Sequence, residues 1–397
     1  MGTKKTLALD GIVVADFSHA LSAPYGCMML ADAGADLIKI ESPNPDVFRI
    51  LNKGAYAAVV HRNKRALSLD LKKDEAKKIA WKIIEKADVL IENFTPGAFE
   101  RLGFGYEDVK KINPGIIYCS LSGFGQTGPY KNLGGYDVVA QAMSGIMEAT
   151  GDQDRLPVRI GPSIVDMGSG MYLAIGVLQA ILERQKTGEG QRIDISLLET
   201  ALSWMSPFVA LCSMTGEVPK RWGSGFAPFC PYRVYNSSDG TVFIGVSTNH
   251  FWKRFCDAFD LKELSAMKKF EDISGRVGNR DELDGLVQDV MVKLKKDDIL
   301  AKLREAAIPC APVYSVEDAM NDPHVKERGC LVEQDHPVCG KMTFVKNPIR
   351  SNGEFPEIRF PSPAQGEQTV EILGELGYSA KEIEEFIAAK VALPPKK

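Results

Sequence analysis

Asp166 is the residue on which chemistry could turn. It heads the stretch Asp166-Met-Gly-Ser-Gly170, ahead of an apolar run over residues 171–182 that closes on Arg184, Lys186 and Gly188. The pattern predicts a helix with a carboxylate at its positive end and bases at its negative end. Such an acid can cap unpaired backbone N–H groups. It can also be a nucleophile. Gly168, Ser169 and Gly170 leave room for a bulky group at the carboxylate, and no Lys or Arg stands within the ten residues that follow. The helix dipole favours the ionised form that attack requires.

A second motif, Gly123-Phe-Gly-Gln-Thr-Gly128, matches the G-x-G-x-x-G of dinucleotide sites. Pro129 follows at once, so no helix starts where a pyrophosphate would need its N-terminus. The motif reads as a structural or mobile glycine loop, not an NAD site. Neither a phosphate-loop lysine motif nor His-Glu-x-x-His occurs. Eight cysteines include no C-x-x-C pair, so reduced buried thiols are expected rather than a metal site or a disulfide framework. A net charge of −4 over 397 residues points to no nucleic-acid partner. The densest basic cluster, Arg62-Asn-Lys-Arg65, reads as a solvated loop or a phosphate-facing one. Residues 1–5 lead straight into a strand-like run, without a signal-peptide apolar core. No apolar stretch, residues 171–182 included, reaches transmembrane length. The chain therefore reads as soluble and cytoplasmic, with no membrane partner.

The elements that must place these residues alternate. Strands are expected at residues 11–18, 35–41, 67–71, 88–93 and 115–122, with helices at 25–33, at 75–86 behind an Asp74 cap, and at 103–112. Strand–helix–strand units of this length build a parallel sheet with crossover helices. The fold class is thus α/β. A large doubly wound, Rossmann-like domain over residues 1–206 carries ligand loops at its strand ends. Residues 207–225 turn Gly-, Pro- and aromatic-rich and read as a linker. A smaller α+β domain is expected over residues 226–325, from a hairpin turning at Asp239-Gly240 and helices at 250–259, 281–295 and 299–306. Residues 326–397 form a linker and a return to the large domain, with a helical tail at 366–388.

Seven segments, in order along nearly the whole chain, carry a family resemblance. They are Ala15-Asp-Phe-Ser-His19 with Ala23-Pro24, Ala35-Asp-Leu-Ile-Lys-Ile-Glu41, Asn63-Lys-Arg65 with Leu69-Asp-Leu-Lys72, Glu92-Asn-Phe-Thr-Pro-Gly97, Gly135-Tyr-Asp137, Gly161-Pro-x-x-x-Asp166 and Thr187-Gly-Glu-Gly-Gln191. The sequence resembles the class III CoA-transferases, of the formyl-CoA transferase and carnitine-CoA transferase type. The resemblance implies that Asp166 attacks a donor acyl-CoA, passing through aspartyl anhydride and aspartyl-CoA thioester intermediates. It implies no tightly bound cofactor, with coenzyme A and acyl-CoA as substrates. CoA would be held by Leu21 and Ser22, by Leu69, Asp70, Leu71 and Lys72, and by Asn93, Phe94 and Thr95 with Arg101. Lys72 and Arg101 fit phosphate contact, although Lys72 also reads as a solvated helix-start lysine. Some relatives carry a CoA-binding arginine where this chain has Ser42, a contact left to Arg49 or Arg62.

His19 reads as a surface histidine or as lining of the acyl pocket, which the resemblance completes with Tyr136 and Asp137. Asp137 would tune Asp166 or bind the acceptor. Racemases of the same fold carry a histidine base where this chain has Tyr136, and a tyrosine with a pKa near 10 is a poor base at neutral pH. An acyl-CoA racemase or epimerase is therefore the alternative. A non-catalytic subunit of a heteromeric transferase is a second alternative, and the presence of Asp166 argues against it. Trp222-Gly-Ser-Gly225 reads as an oxyanion-stabilising loop or as a flexible linker. The resemblance further implies ring-shaped chains interlocked as a homodimer, or as a heterodimer with a paralogous subunit. The aromatic residues Trp222, Phe226, Phe229 and Tyr232 suggest a medium-sized organic acid rather than formate as acceptor. Succinyl-CoA and acetyl-CoA are the donors considered, and no residue selects between them.

Overall fold

Six short strands, five of them almost wholly buried, set the architecture. In the computed structural model, which describes residues 6–395, they are β1 (Val13–Asp16), β2 (Asp36–Glu41), β3 (Arg65–Leu69), β4 (Val89–Glu92), β5 (Ile117–Ser122) and β6 (Gln191–Ser196). Residues 1–5, on which the expectation of no signal-peptide core rests, lie outside the described residues. All six strands pair in parallel, in the order β3-β2-β1-β4-β5-β6, and Ala392–Leu393 adds an antiparallel edge beside β3. This is the doubly wound order, with its switch point between β1 and β4. Every residue of β4 and β5 is buried, as in strands covered on both faces. The helix Asp74–Lys86 buries Ala76, Ile79, Ala80, Ile83 and Ile84 on one face. Asp74 does not cap it. Lys73 holds the N-cap position, and Asp74 is the first helical residue, where its charge still suits the positive end.

Four helices frame the predicted chemistry: α1 (Ser22–Asp32), α2 (Asp137–Met143), α3 (Ile164–Thr187) and α4 (Leu197–Trp204). Helix α3 ends as predicted at Gly188, whose N–H donates to the Arg184 carbonyl and whose φ of +75° turns the chain out of the helix. It extends well beyond residues 171–182. It is 24 residues long and holds an 18-residue stretch of mean hydropathy 1.5, long and apolar enough to cross a membrane, which corrects the expectation drawn from the shorter run. Half of its apolar stretch is buried within the protein, against α1, β5 and β6, as in a core helix.

The small residues after Asp166 serve that packing and not ligand access, a second correction. A Cβ on Gly168 would stand 2.0 Å from the Trp204 ring, and one on Gly170 would stand 2.5 Å from the Ser22 carbonyl oxygen. The basic cluster is likewise neither solvated nor phosphate-facing. Arg62, Asn63 and Lys64 are buried, Arg62 paired with Asp32 and Lys64 with Asp16, while Arg65 pairs with Asp36, Glu371 and Glu375. The bonds from Arg65 to Glu371 and Glu375 tie the C-terminal segment to β3.

The chain divides into two units, one of residues 1–146, 160–210 and 326–397 and one of residues 147–159 and 211–325. The smaller unit builds its core from Tyr235, Val242, Ile244, Trp252, Phe255, Phe270, Leu283 and Val287, around an antiparallel sheet of Tyr232–Asn236, Thr241–Gly245 and Cys310–Pro312. Most of the helix Ser206–Thr215 falls in the stretch read as a linker, and two short helices, Val316–Asn321 and Pro323–Arg328, were not foreseen. A hairpin, Leu331–His336 with Gly340–Val345, was not foreseen, and the helical tail is two helices, Thr369–Glu375 and Ala380–Ala388.

Candidate functional site

The carboxyl ends of β1 to β4 open onto a cavity of about 680 Å³, within the range of cofactor sites. Of the residues predicted to hold CoA, Leu69, Asp70, Leu71, Lys72 and Phe94 line it, together with His19. Leu69 is buried in the floor and Lys72 is exposed at the rim. Leu21 and Ser22 are buried at the start of α1 instead. Thr95 faces a smaller polar pocket shared with Glu92 and Ser120, and Arg101 is exposed beside Gly97. The loop Trp222-Gly-Ser-Gly225 lies in the smaller unit. There the N–H groups of Gly223 and Gly225 donate to the carbonyls of Gly151 and Trp222, so neither is free for an oxyanion.

Asn93 does something the sequence did not suggest. Its side-chain oxygen accepts the His19 N–H and its side-chain nitrogen donates to the His19 carbonyl, both at 2.8 Å. It thus staples the loop after β4 to the loop after β1, at the switch point where such folds bind ligands. The same turn is held by Asp46, whose carboxylate accepts the N–H of Ala20 at 2.6 Å, and by Lys39, whose ammonium donates to the Ser18 carbonyl. Ala20 has a φ of +62°, a conformation that these bonds must stabilise. Arg49 pairs with Glu41 at 2.7 Å and Arg62 is buried against Asp32, so neither is free to replace the missing arginine at Ser42.

Asp166 is the third residue of α3. Ser163, at the N-cap position, gives no side-chain cap. Asp137, the first residue of α2, supplies it from outside, accepting the N–H groups of Val165 at 2.8 Å and Asp166 at 3.2 Å. The Ile164 N–H goes to the Pro162 carbonyl. The positive end of α3 is therefore already neutralised, and the expectation that its dipole holds Asp166 ionised fails. Among the described residues no donor reaches the Asp166 carboxylate. Burial first, and the Asp137 charge second, push its pKa up to about 7. Asp137 is itself 5% exposed, and its other oxygen accepts from Gln141 at 2.5 Å, which suits tuning of Asp166 rather than acceptor binding. Tyr136 stands at the N-cap of α2 and is 73% exposed. The contact of Gly170 with Ser22 brings the Leu21–Ser22 turn to within one helical turn of Asp166. Asp46 and Gln141 were not singled out by sequence, although Asp137 and Gln141 stand at the i, i+4 spacing that places two side chains on one helix face.

The structure thus has a doubly wound sheet with a cofactor-sized cavity at the ends of β1 to β4, and, on a helix packed against α1, β5 and β6, a carboxylate that no donor among the described residues reaches; Asp166, Tyr136 and Asp137 do not line that cavity. Residues 9–369 match the model of CoA-transferase family III, and the chain belongs to that family. It is 34% identical over 385 residues to a succinyl-CoA:mesaconate CoA-transferase of Haloarcula marismortui, covering 93% of this chain and 96% of that protein. It is 32% identical over 392 residues to the human succinyl-CoA:glutarate CoA-transferase, covering 96% and 89%. An acetyl-CoA:oxalate CoA-transferase of Acetobacter aceti is 35% identical over 367 residues, with 90% and 93% covered. Among solved structures, a CAIB/BAIF family protein from Brucella suis superposes with a TM-score of 0.86 at 33% identity, over 94% of this chain and 100% of that one.

Proposed function

We propose that this CoA-transferase moves CoA from succinyl-CoA or acetyl-CoA to a medium-sized organic acid, with Asp166 as nucleophile. The observation that carries this role is the Asp166 carboxylate itself: without a hydrogen-bond donor, at the start of α3, with a pKa of about 7. Near neutral pH a large share of it is ionised, and its raised basicity makes it a better nucleophile than an ordinary aspartate. Asp166 attacks the thioester carbonyl of the donor, the C–S bond breaks, and CoA leaves as thiolate. The thiolate attacks the aspartyl carbonyl of the anhydride, releasing the donor acid and leaving aspartyl-CoA thioester. The acceptor carboxylate displaces the thiolate, which then attacks the acceptor carbonyl of the second anhydride. Acyl-CoA product leaves and Asp166 is again a carboxylate. Acyl activation stays in covalent bonds throughout, so no ATP is required.

The cavity lined by Leu69, Asp70, Leu71, Lys72, Phe94 and His19 is the proposed CoA site, with Asn93 positioning its wall. The relatives named for mesaconate and glutarate support an acceptor of that size. The exposed face of α3, with Met171, Ile175, Leu178 and Leu182 each at least 40% exposed, supports an obligatory partner, which we take to be a second, interlocked copy of the chain. Eight free thiols support a reducing, cytoplasmic setting. The test is to incubate each donor with a panel of acids and follow acyl-CoA products by mass spectrometry. New acyl-CoA that is lost in Asp166→Ala supports transfer. Exchange of α-protons with solvent deuterium, without new acyl-CoA, would support the racemase instead.

A further inference from the structure

We infer that Gln141 is a positioning residue of the Asp166 site, fixing both the carboxylate of Asp137 and the chain that enters α3. This rests on Asp166 being the nucleophile. Gln141 is fully buried on α2, one turn after Asp137. Its side-chain nitrogen donates to the outer oxygen of Asp137 at 2.5 Å, and its side-chain oxygen accepts the N–H of Ile160 at 2.9 Å. The orientation of the amide is dictated by chemistry, because the reverse would set its oxygen against a carboxylate and its NH₂ against an N–H. The inner oxygen of Asp137 is thereby aimed at Val165 and Asp166. One side chain thus grips the segment at both of its ends: at Ile160, where the chain re-enters the larger unit, and through Asp137 at the first turn of α3. Residues 161–163 lie between Ile160 and α3 and are not helical. A Gln141 that lets go would leave the Asp137 carboxylate free to rotate, and the first turn of α3 would lose its cap with it.

Gln141→Met keeps the length and removes both hydrogen bonds. Gln141→Glu sets two carboxylates face to face. The double variant Asp137→Asn/Gln141→Glu reverses donor and acceptor and restores the geometry with the total charge of Gln141→Glu reduced by one. We expect Gln141→Met and Gln141→Glu to lower kcat about ten- to a hundredfold, the loss typical of a hydrogen bond to a charged group. KM for acyl-CoA should stay within about twofold, because the cavity residues are untouched, and amide exchange over residues 160–167 should rise by about tenfold. The double variant should recover kcat relative to Gln141→Glu and return exchange toward wild type. Unchanged kcat and exchange in a folded Gln141→Met, or a double variant no better than Gln141→Glu, would overturn the role. If Gln141→Met does not fold, the comparison of Gln141→Glu with the double variant decides. Amide exchange reads the positioning independently of catalysis, so a wild type without transferase activity would sink the functional proposal while leaving exchange to judge Gln141.

Discussion

Replacing Asp166 by asparagine should abolish transfer and, at the same time, stabilise the folded protein above neutral pH. The pKa of Asp166 stands at about 7 in the fold against an ordinary value of 3.8. Between those values the folded state keeps a proton that the unfolded chain has released, so stability falls as pH rises through that window, and the deficit is complete above about pH 7. Three pKa units correspond to about 4 kcal/mol, and relaxation of a half-buried carboxylate toward water reduces this to about 2–4 kcal/mol at pH 8. Asparagine has the same shape and no charge to desolvate, and it adds a donor that Asp137 can meet. Urea denaturation of both proteins at pH 5 and pH 8 measures the difference. The variant should be the more stable at pH 8, by a margin that shrinks to under half at pH 5. A variant less stable at pH 8, or a margin equal at both pH values, would refute a strained, charge-opposed carboxylate at this position.

Three further outcomes follow from the same geometry. In the wild type, kcat/KM should rise with pH through about 7 as Asp166 ionises; Asp137→Asn removes the neighbouring charge, so that rise should move to lower pH in a pH–rate profile. Asn93→Ala breaks two bonds to His19, and steady-state kinetics should show KM for acyl-CoA raised about tenfold with kcat little changed. Ile175→Asp places a charge on the exposed apolar face of α3, and sedimentation after refolding from denaturant should find monomer where the wild type gives dimer.

The sheet was legible because its signals are local. Each of the five strands predicted is a short apolar run closed by turn residues, and the alternation with helices predicts a parallel, doubly wound sheet; β6, in which only Ser196 is buried, carries no such run and was not foreseen. Asp166 was legible for the same reason, as one acid ahead of a long apolar helix. What escaped depends on partners remote in the chain. The small residues Gly168 and Gly170 suggest an open approach until Trp204 and Ser22 are seen to fill it. Arg62 and Lys64 look like a solvated basic cluster, but Asp32 and Asp16, 30 and 48 residues away, bury them. Asn93 reads as a ligand contact, and only the folded chain brings His19 to it across 74 residues. Asp137 reaches the start of α3 across 28 residues and reverses the electrostatic expectation for Asp166. Residues 207–225 read as a linker, yet Pro207 sits in the first turn of the helix Ser206–Thr215, where proline is tolerated.

The central claim is that Asp166 becomes covalently acylated. Intact-protein mass spectrometry after incubation with succinyl-CoA or acetyl-CoA, quenched with hydroxylamine or borohydride and followed by peptide mapping, tests it directly. A hydroxamate or a reduced side chain at Asp166, absent from Asp166→Ala, is the predicted result. New acyl-CoA formed in full by a protein whose Asp166 stays unmodified under every donor would contradict it.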